Sequence, residues 1–273
     1  MNIKNVSFIG LGVMGYPMAG HLKKNGYNVT VYNRTETKSQ KWVSEFGGHM
    51  ETTPAKASKE AEIVFICVGM DKDIIEVMDG KNGILSSSKK DSIIVDHTTA
   101  SAEIARVYSK KLKSMNLAFL DAPISGGQAG AENGKLSIMI GGEKEKYEKV
   151  KPVLESYGKA IELIGPSGSG QIAKMINQIC IAGLVQGLSE AMAFGKKANV
   201  DMEKVLSVIS KGAAQSWQME NRYRTMLDGK FDYGFAVDWM RKDLSICFNE
   251  AKKNGSSLPI TKIVDKYYSE IQK

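Results

Sequence analysis

Over the first 165 residues, short apolar runs alternate with amphipathic segments. The runs are continuously apolar instead of alternating with polar positions, which is typical of strands that helices cover on both faces. They lie at residues 5–9, 28–32, 63–68, 92–96, 117–122 and 136–142, and residues 160–165 are one further candidate. With helical segments between them, these runs predict an α/β, doubly wound N-terminal domain over residues 1–165.

The pattern changes after residue 165, where strand-like runs give way to helical periodicity. Residues 171–198 contain no proline and are apolar on most faces, so they predict one helix about 40 Å long. Shorter helices are predicted at residues 200–210, 216–227, 235–255 and 259–273. Asp201 and Pro259 are start signals, and Gly255 is a stop signal. We therefore expect an all-α C-terminal domain over residues 166–273.

The apolar surface of the long helix exceeds what one small helical domain can cover. We therefore expect the chain to associate as a homodimer or homotetramer. No apolar run approaches the roughly 20 residues of a membrane helix, and residues 1–4 lead into a strand rather than a secretory signal. These features predict a cytoplasmic protein with no membrane partner.

Composition and charge narrow the remaining classes of protein. The 273 residues are 42% hydrophobic and 25% charged, and the net charge is +7. The basic residues are mixed with glutamates, so they predict solvated helix faces and no nucleic-acid partner, although a positive field favours small anionic ligands. The three cysteines and three histidines have no metal-ligand spacing, so no metal site is expected.

Gly10, Gly12 and Gly15 form the pattern G-x-G-x-x-G between a predicted strand and a predicted helix. In a Rossmann-type unit the first glycine permits a tight turn, the second lets the backbone approach a pyrophosphate, and the third lets helix and strand pack closely. The helix N-terminus also offers unpaired N–H groups to the phosphates. The spacing predicts that this loop binds a dinucleotide. The remaining cofactor-binding residues of the loop are Leu11, Val13 and Met14.

The second predicted strand is followed by Asn33, where a chain that binds NAD usually has Asp or Glu for the ribose 2′-hydroxyl. A carboxylate at this position repels a 2′-phosphate, and asparagine removes that repulsion. Arg34 offers guanidinium donors for the phosphate, and Thr35 adds a hydroxyl. These three residues predict NADP(H) as the preferred cofactor, with NAD(H) as the alternative.

Two further segments offer groups for a substrate. In DAPISGG (residues 121–127), Ser125 supplies a hydroxyl and Gly126 and Gly127 expose backbone N–H groups, at the sheet edge where ligands bind. This arrangement suits a small carboxylate. Lys174 lies on the long apolar helix, and lysine is rarely buried without a purpose because desolvating its ammonium is costly. Asn177, one turn further on, is expected to face the same way.

The sequence resembles the β-hydroxyacid dehydrogenase family over nearly its whole length. That family includes 3-hydroxyisobutyrate dehydrogenases, tartronate semialdehyde reductases and glyoxylate/succinic semialdehyde reductases. The resemblance implies hydride transfer between NADP(H) and a small β-hydroxyacid or its semialdehyde. Besides the glycine loop and DAPISGG, it rests on the segments VDHTTAS (residues 95–101), GSGQIAKMINQ (168–178), GAAQSW (212–217) and RKDL (241–244).

The resemblance also implies roles for individual residues on the substrate side. Lys174 is the implied catalytic acid/base, which protonates the carbonyl oxygen as hydride arrives. The substrate carboxylate is expected on Ser125 and the two glycines that follow it, and the substrate hydroxyl on Asn177. The family often has a second asparagine at the next position, where this chain has Gln178, an amide on a longer side chain.

On the cofactor side, the resemblance implies that Lys242 reaches the cofactor and that Asp243 orients this lysine. Thr99 is expected along the nicotinamide side, and its alternative interpretation is a helix N-cap. The adenine side is expected to be lined by Val68, Gly69 and Met70.

Two alternative functions stay open at this point. One is a non-catalytic dinucleotide-binding module, which has little reason to keep a lysine at position 174. The other is an imine reductase, which has a similar two-domain plan and glycine turn. An imine reductase is expected to lack both this lysine and the carboxylate-binding segment.

Overall fold

The computed structural model describes residues 3–231 and 236–272. The chain divides into two compact units, Met1–Lys174 and Met175–Lys273. The first unit contains a sheet of nine described strands with helices between them, and the second is helical over its described part. The predicted Rossmann-type domain followed by an all-α region is therefore confirmed, and the boundary after residue 165 stays a prediction.

The sheet is parallel through its first six strands in space. Its order is β3-β2-β1-β4-β5-β6-β8-β7, with β9 paired to β8. Strand β8 runs antiparallel to β6 and β7, and parallel to β9. The strands are β1 Asn5–Ile9, β2 Asn28–Tyr32, β3 His49–Met50, β4 Ile63–Ile66, β5 Ile93–Asp96, β6 Ala118–Asp121, β7 Ile124–Ser125, β8 Leu136–Gly141 and β9 Gly158–Gly165. Since the chain crosses to β2 on one side of β1 and to β4 on the other, the carboxyl end of β1 is the switch point where such sheets bind ligands.

The continuously apolar strands contribute side chains to the hydrophobic cores on both faces of this sheet. In β4, Ile63 and Phe65 belong to the core on one face, while Val64 and Ile66 belong to the core on the other. Alternate side chains of a strand point to opposite faces, so a strand with helices on both sides must be apolar at every position. The covering helices are α1 Gly15–Lys24, α2 Glu36–Phe46, α3 Pro54–Ser58, α4 Asp71–Asp79, α5 Ala102–Lys113, α6 Gly127–Glu132 and α7 Lys144–Leu154, with a short 3-10 turn at Ile84–Ser86.

Within the described part of the chain, five helices follow the sheet, and their boundaries agree with the signals in the sequence. The Asp201 side chain accepts a hydrogen bond from the Lys204 N–H, Pro259 opens the last helix, and Gly255 ends the one before it in a left-handed conformation. Phe235, where the sequence predicts the fourth helix to begin, lies outside the described residues. The helices are α8 Ser169–Lys197, α9 Met202–Ile209, α10 Trp217–Leu227, α11 Val237–Asn254 and α12 Pro259–Ile271.

Helix α8 is long and apolar enough to cross a membrane by length and composition. The prediction that no apolar run approaches that length is therefore wrong for this helix. A single such helix is weak evidence for a membrane protein, because core helices of soluble proteins have the same properties. In the second unit α8 supplies core residues to two clusters: Leu188 and Met192 pack with α9 and α10, and Ala182 packs with α11 and α12.

Candidate active site

The glycine loop joins β1 to α1 at the switch point of the sheet. Gly10 has φ +102°, and a Cβ at this position would collide with the Cys67 carbonyl oxygen. A Cβ at Gly15 would collide with the Gly10 carbonyl oxygen. Gly12 differs, because it is exposed and a Cβ there would have no described protein atom within 4 Å. The protein's own packing therefore requires Gly10 and Gly15, whereas the open approach at Gly12 fits a dinucleotide pyrophosphate. The linking residues Leu11, Val13 and Met14 complete the loop, with Leu11 buried and Val13 exposed.

Asn33 connects this loop to the end of β2. Its Oδ1 accepts a hydrogen bond from the Leu11 N–H at 2.9 Å, and its Nδ2 donates to the Thr35 carbonyl oxygen at 3.0 Å. The side chain thus bonds to the backbone of two loops that meet at the switch point. Arg34 and Thr35 are exposed beside it.

Arg34 has two carboxylates near its guanidinium. Its Nη1 lies 3.9 Å from Asp73 Oδ1 and 4.0 Å from Glu76 Oε2, both on α4. The Arg34 side chain is 79% exposed, so water weakens these ion pairs. The sequence carries no signal for either carboxylate, because no local spacing shows that α4 lies beside the end of β2.

The segment after β4 meets the segment after β5. Val68, Gly69 and Met70 are half-buried, and the Val68 N–H donates to Thr98 Oγ1 at 3.1 Å. Thr99 is half-buried and follows directly. The N-cap of α5 is Ser101, whose hydroxyl accepts a hydrogen bond from the Ile104 N–H. Capping of this helix therefore does not account for Thr99.

Asp96 ends β5 and is buried together with Thr98. Its Oδ1 accepts a hydrogen bond from the Thr98 N–H at 2.9 Å. Desolvation raises the pKa of Asp96 to about 7, and the nearby carboxylates of Asp121 and Asp71 act in the same direction. Near neutral pH this carboxyl group therefore exists in both protonation states.

His97 is buried and both of its ring nitrogens have partners. Nδ1–H donates to the Ala122 carbonyl oxygen at 2.7 Å, and Nε2 lies 2.9 Å from the Tyr157 hydroxyl, from which it accepts. The ring stacks on Phe65 with centroids 5.7 Å apart. Desolvation lowers the pKa of His97 to about 4. At pH 7 the ring is therefore neutral and is not a source of protons.

The segment DAPISGG forms a corner between a short strand and a short helix. Ser125 ends the two-residue strand β7, which pairs with β8, and α6 begins at Gly127. Gly126 and Gly127 have φ of +135° and +62°, values that favour glycine. Ser125 is half-buried, while both glycines are exposed. The backbone of both glycines therefore lies at the protein surface.

Lys174 is one of the buried charged residues, with 6% of its surface exposed. It follows the first turn of α8, and that turn is anchored at Asp121, the last residue of β6. Asp121 Oδ1 accepts a hydrogen bond from the Gly168 N–H at 2.7 Å, and Oδ2 accepts from the Gln171 N–H at 3.0 Å. Burial raises the pKa of Asp121, and these two backbone donors oppose that effect. Asp121 and Gln171 are far apart in the sequence, which carries no signal of this contact.

The remaining predicted residues form a connected set within the helical unit. Asn177 Nδ2 donates to Gln178 Oε1 at 2.8 Å, and Gln178 Nε2 donates to Asp243 Oδ2 at 2.6 Å. Asp243 Oδ1 forms an ion pair with Lys242 Nζ at 3.0 Å. Gln178 is 1% exposed, so its longer side chain is used inside this network. Asp243 therefore bonds to Gln178 through one carboxylate oxygen and to Lys242 through the other.

Among the described residues, no group of three or more His, Cys, Asp or Glu side chains could hold a metal ion. The glycine loop lies open at the switch point of a Rossmann sheet, and the same unit carries the buried Lys174 just after the helix turn that Asp121 anchors. Together these features define a class of protein. That class is the oxidoreductases that use a nicotinamide dinucleotide.

Comparison with known proteins identifies the family. Residues 5–165 match the family described as the NAD binding domain of 6-phosphogluconate dehydrogenase, and residues 168–273 match the family described as the NAD-binding domain of NADP-dependent 3-hydroxyisobutyrate dehydrogenase. The chain belongs to the β-hydroxyacid dehydrogenase family, whose members include 3-hydroxyisobutyrate dehydrogenase.

Three similar proteins illustrate the range of the family. An uncharacterized oxidoreductase of Shewanella frigidimarina is 57% identical over 98% of this chain and 92% of its own length. The 2-hydroxy-3-oxopropionate reductase of Escherichia coli is 34% identical over 94% of this chain and 87% of its own. The solved structure of Mycobacterium tuberculosis 3-hydroxyisobutyrate dehydrogenase with L-serine is 24% identical, has a TM-score of 0.89, and is matched over 99% of this chain and 94% of its own. The last similarity shows the fold.

Proposed function

We propose that this protein reduces a small semialdehyde that carries a carboxylate to the corresponding β-hydroxyacid, with NADPH as the preferred cofactor, and that it catalyses the reverse oxidation. The nicotinamide, when bound, supplies the hydride. The residues of this chain hold the carboxylate, position the carbonyl group and deliver the proton. The observation that carries the proposal is the burial of Lys174 one turn after the point where Asp121 anchors α8.

Lys174 is the proposed proton donor in the direction of reduction. Hydride transfer to an aldehyde builds negative charge on the carbonyl oxygen, and a positioned acid lowers this barrier. The buried imidazole of His97 is neutral at pH 7 and bonded at both nitrogens, so it is a poor alternative. In the oxidation direction the same lysine, once neutral, accepts the proton of the hydroxyl group. Asn177, one helical turn further on, is the proposed partner of that hydroxyl.

The corner at Ser125, Gly126 and Gly127 is the proposed binding site of the carboxylate. A hydroxyl and exposed backbone N–H groups match an anion of this size without an added positive charge. Binding the acid group here fixes the far end of the substrate, so that the carbonyl carbon is held in place. This site favours aldehydes that carry a carboxylate over neutral aldehydes of the same length.

The proposed preference for NADPH rests on Arg34 and Thr35 beside Asn33. Asn33 lacks the negative charge that would repel a 2′-phosphate, and its amide bonds to the Leu11 N–H and to the Thr35 carbonyl oxygen. The description of the family matched by residues 168–273 names NADP-dependent members, which supports this cofactor. On the adenine side, the proposal retains Val68, Gly69 and Met70. Thr99 and Lys242 are proposed to serve the nicotinamide side.

A panel of small aldehydes and hydroxyacids, each assayed with NADPH and NADH, tests the proposal. The panel contains glyoxylate and the semialdehydes of succinate, methylmalonate and tartronate, with butyraldehyde as the neutral match for succinic semialdehyde. We expect turnover of at least one acid substrate and little turnover of butyraldehyde. A protein that binds NADPH but reduces none of these compounds is a binding module. A protein that reduces 1-pyrroline instead is an imine reductase, and either result contradicts the proposal.

A further inference from the structure

Gln171 makes an unusual pair of contacts for a residue in the first turn of a helix. It is 1% exposed, and its side chain bonds to the backbone of the segment that follows β5. Nε2 donates to the Thr98 carbonyl oxygen at 2.8 Å, and Oε1 accepts from the Ala100 N–H at 3.1 Å. One amide side chain thus bonds to the backbone on both sides of Thr99, as a neighbouring strand would.

The backbone of Gln171 is fixed as well. Its N–H donates to Asp121 Oδ2, and Asp121 also accepts from the Gly168 N–H. The helix start lies directly against the sheet, because a Cβ at Gly170 would lie 2.5 Å from the Met139 carbonyl oxygen and 2.7 Å from the Asp121 carbonyl oxygen. Gln171 is therefore held by β6 through its backbone, and it holds the segment after β5 through its side chain.

These contacts connect Lys174 with the Thr98–Ala100 segment, and both take part in the proposed reaction. Residues three positions apart share a face of a helix, so Lys174 leaves α8 on the face that Gln171 fixes against the Thr98–Ala100 backbone. The segment also bonds to the loop after β4, through the Val68 N–H and Thr98 Oγ1. Burial of an amide requires that its hydrogen bonds be made, and packing alone would be served by an apolar side chain of the same length. The two hydrogen bonds therefore indicate that Gln171 positions the Thr98–Ala100 backbone.

We propose that Gln171 is a positioning residue, which rests on the proposed function: it sets the proton-donating Lys174 relative to the Thr98–Ala100 segment on the nicotinamide side. Both polar atoms of its side chain bond to backbone groups, so Gln171 acts through the residues that it holds. Its loss allows the segment and the lysine to move independently, and misplacement by about 1 Å is enough to slow a reaction about a hundredfold. The hydride step is slowed most, because that step requires both groups in place.

Gln171→Met tests this assignment, since methionine keeps the length of the side chain and removes both hydrogen bonds. We expect kcat to fall at least about tenfold, while NADPH affinity changes less than about threefold. We also expect a larger primary isotope effect with NADPH deuterated at C4, because hydride transfer becomes more rate-limiting. Hydrogen exchange at the Ala100 amide should become faster. Gln171→Glu keeps an oxygen that accepts the Ala100 N–H. Hydrogen exchange at the Ala100 amide should therefore be slower in Gln171→Glu than in Gln171→Met.

Ser92→Ala is the matched control. Ser92 is buried at the position before β5 begins, and its single hydroxyl proton is shared between the Ala61 and Lys89 carbonyl oxygens, at 2.8 and 2.7 Å. Its loss removes buried hydrogen bonding without affecting the segment after the strand. We expect its kcat and isotope effect to match those of the wild-type protein. A folded Gln171→Met protein with unchanged kcat, or with reduced kcat and an unchanged isotope effect, overturns the assignment while wild-type activity still supports the proposed function. A wild-type protein inactive on the whole substrate panel overturns both.

Discussion

Arg34 is subject to two electrostatic influences of opposite sign. Its guanidinium is the proposed partner of a 2′-phosphate, but the carboxylates of Asp73 and Glu76, about 4 Å from Nη1, repel such a phosphate. Since Arg34 is largely exposed, its ion pairs are worth only about 0.2–1 kcal/mol each. A charge-assisted bond to a bound phosphate is worth more, roughly 1.5–3 kcal/mol. We therefore expect a preference for NADPH that the two acids weaken without reversing.

Arg34→Ala should weaken NADPH binding about ten- to a hundredfold and leave NADH binding nearly unchanged. Glu76→Gln should change NADPH binding in the opposite direction, strengthening it by up to about fivefold. Lys149→Ala is the control, because it removes one positive charge from a remote ion pair with Glu145. Cofactor fluorescence titration measures all four proteins. A wild-type protein that prefers NADH contradicts this account of the cofactor.

The raised pKa of Asp96 predicts that the stability of the folded protein depends on pH. Its pKa is about 7 in the folded protein and about 4 in the unfolded chain. Between these values the folded state binds more protons, so Asp96 makes the free energy of unfolding fall as pH rises from about 4 to about 7. Asp96→Asn removes this contribution and keeps an oxygen for the Thr98 N–H.

The melting temperature of Asp96→Asn relative to the wild-type protein should therefore be higher at pH 8 than at pH 4.5, by at least about 3 °C. Thermal unfolding of both proteins in the two buffers measures this difference. His97 acts in the opposite sense, because its lowered pKa of about 4 makes stability rise with pH up to about 6.5. Comparison with the wild-type protein cancels the contribution of His97. A difference in melting temperature that is independent of pH contradicts the assignment to Asp96.

At the scale of elements, the corner of β7 and α6 presents Ser125 beside two glycines with positive φ. Ser125→Ala removes the hydroxyl and leaves the backbone N–H groups. We expect KM for the carboxylate substrate to rise more than kcat falls, since the contact is made equally in the ground state and the transition state. Ser137→Ala is the matched control, because Ser137 is paired with Ser125 across β7 and β8 and is exposed. Steady-state kinetics on the best substrate of the panel measures KM and kcat for the two variants and the wild-type protein. A Ser125→Ala variant that loses only kcat contradicts carboxylate binding at this corner.

The elements that the sequence predicts correctly are those with a long repeated pattern. The apolar runs of β1 and β2 and the long helix α8 are found within two residues of their predicted ends. The two-residue strands β3 and β7 are too short to show any period. The antiparallel direction of β8 also leaves no trace in the sequence, because a buried strand is apolar in either direction.

The same physical limit applies to the site. The glycine spacing and the residue type at position 33 predict the dinucleotide-binding loop, because residues close together in the sequence form this loop. Gln171 bonds to the backbone 71 residues earlier in the chain, and Asp121 bonds to the backbone 47 residues later. Contacts at such separations depend on the packing of α8 against β6, which no local pattern records. Gln178 is a further case, since its bond to Asp243, 65 residues later in the chain, also depends on how distant segments pack.

At the scale of the whole molecule, the helical unit exposes many large apolar side chains. Phe194 on α8 is 77% exposed. Only 28% of the most apolar 18-residue stretch of this helix is buried. Apolar surface of this extent is typical of an interface. We propose that a second copy of the chain covers this surface and that the protein is a homodimer or homotetramer.

Light scattering at micromolar concentration should give at least twice the mass of the chain. Phe194→Asp should shift the protein toward the monomer, because a charge in a dry interface is costly. Val107→Asp is the control, since Val107 is 54% exposed on α5 in the first unit. A monomeric wild-type protein contradicts the proposed assembly, and so does an unchanged mass for Phe194→Asp.

The proton donor is the central claim about the whole enzyme, and Lys174→Ala tests it most directly. The measurement is steady-state kinetics on the best substrate, together with NADPH affinity by fluorescence and a thermal unfolding curve to confirm folding. The account predicts that kcat falls by at least about a hundredfold, while NADPH affinity stays within about threefold of the wild-type value. A folded Lys174→Ala protein that keeps most of its kcat would contradict the account, because the proton would then come from another group.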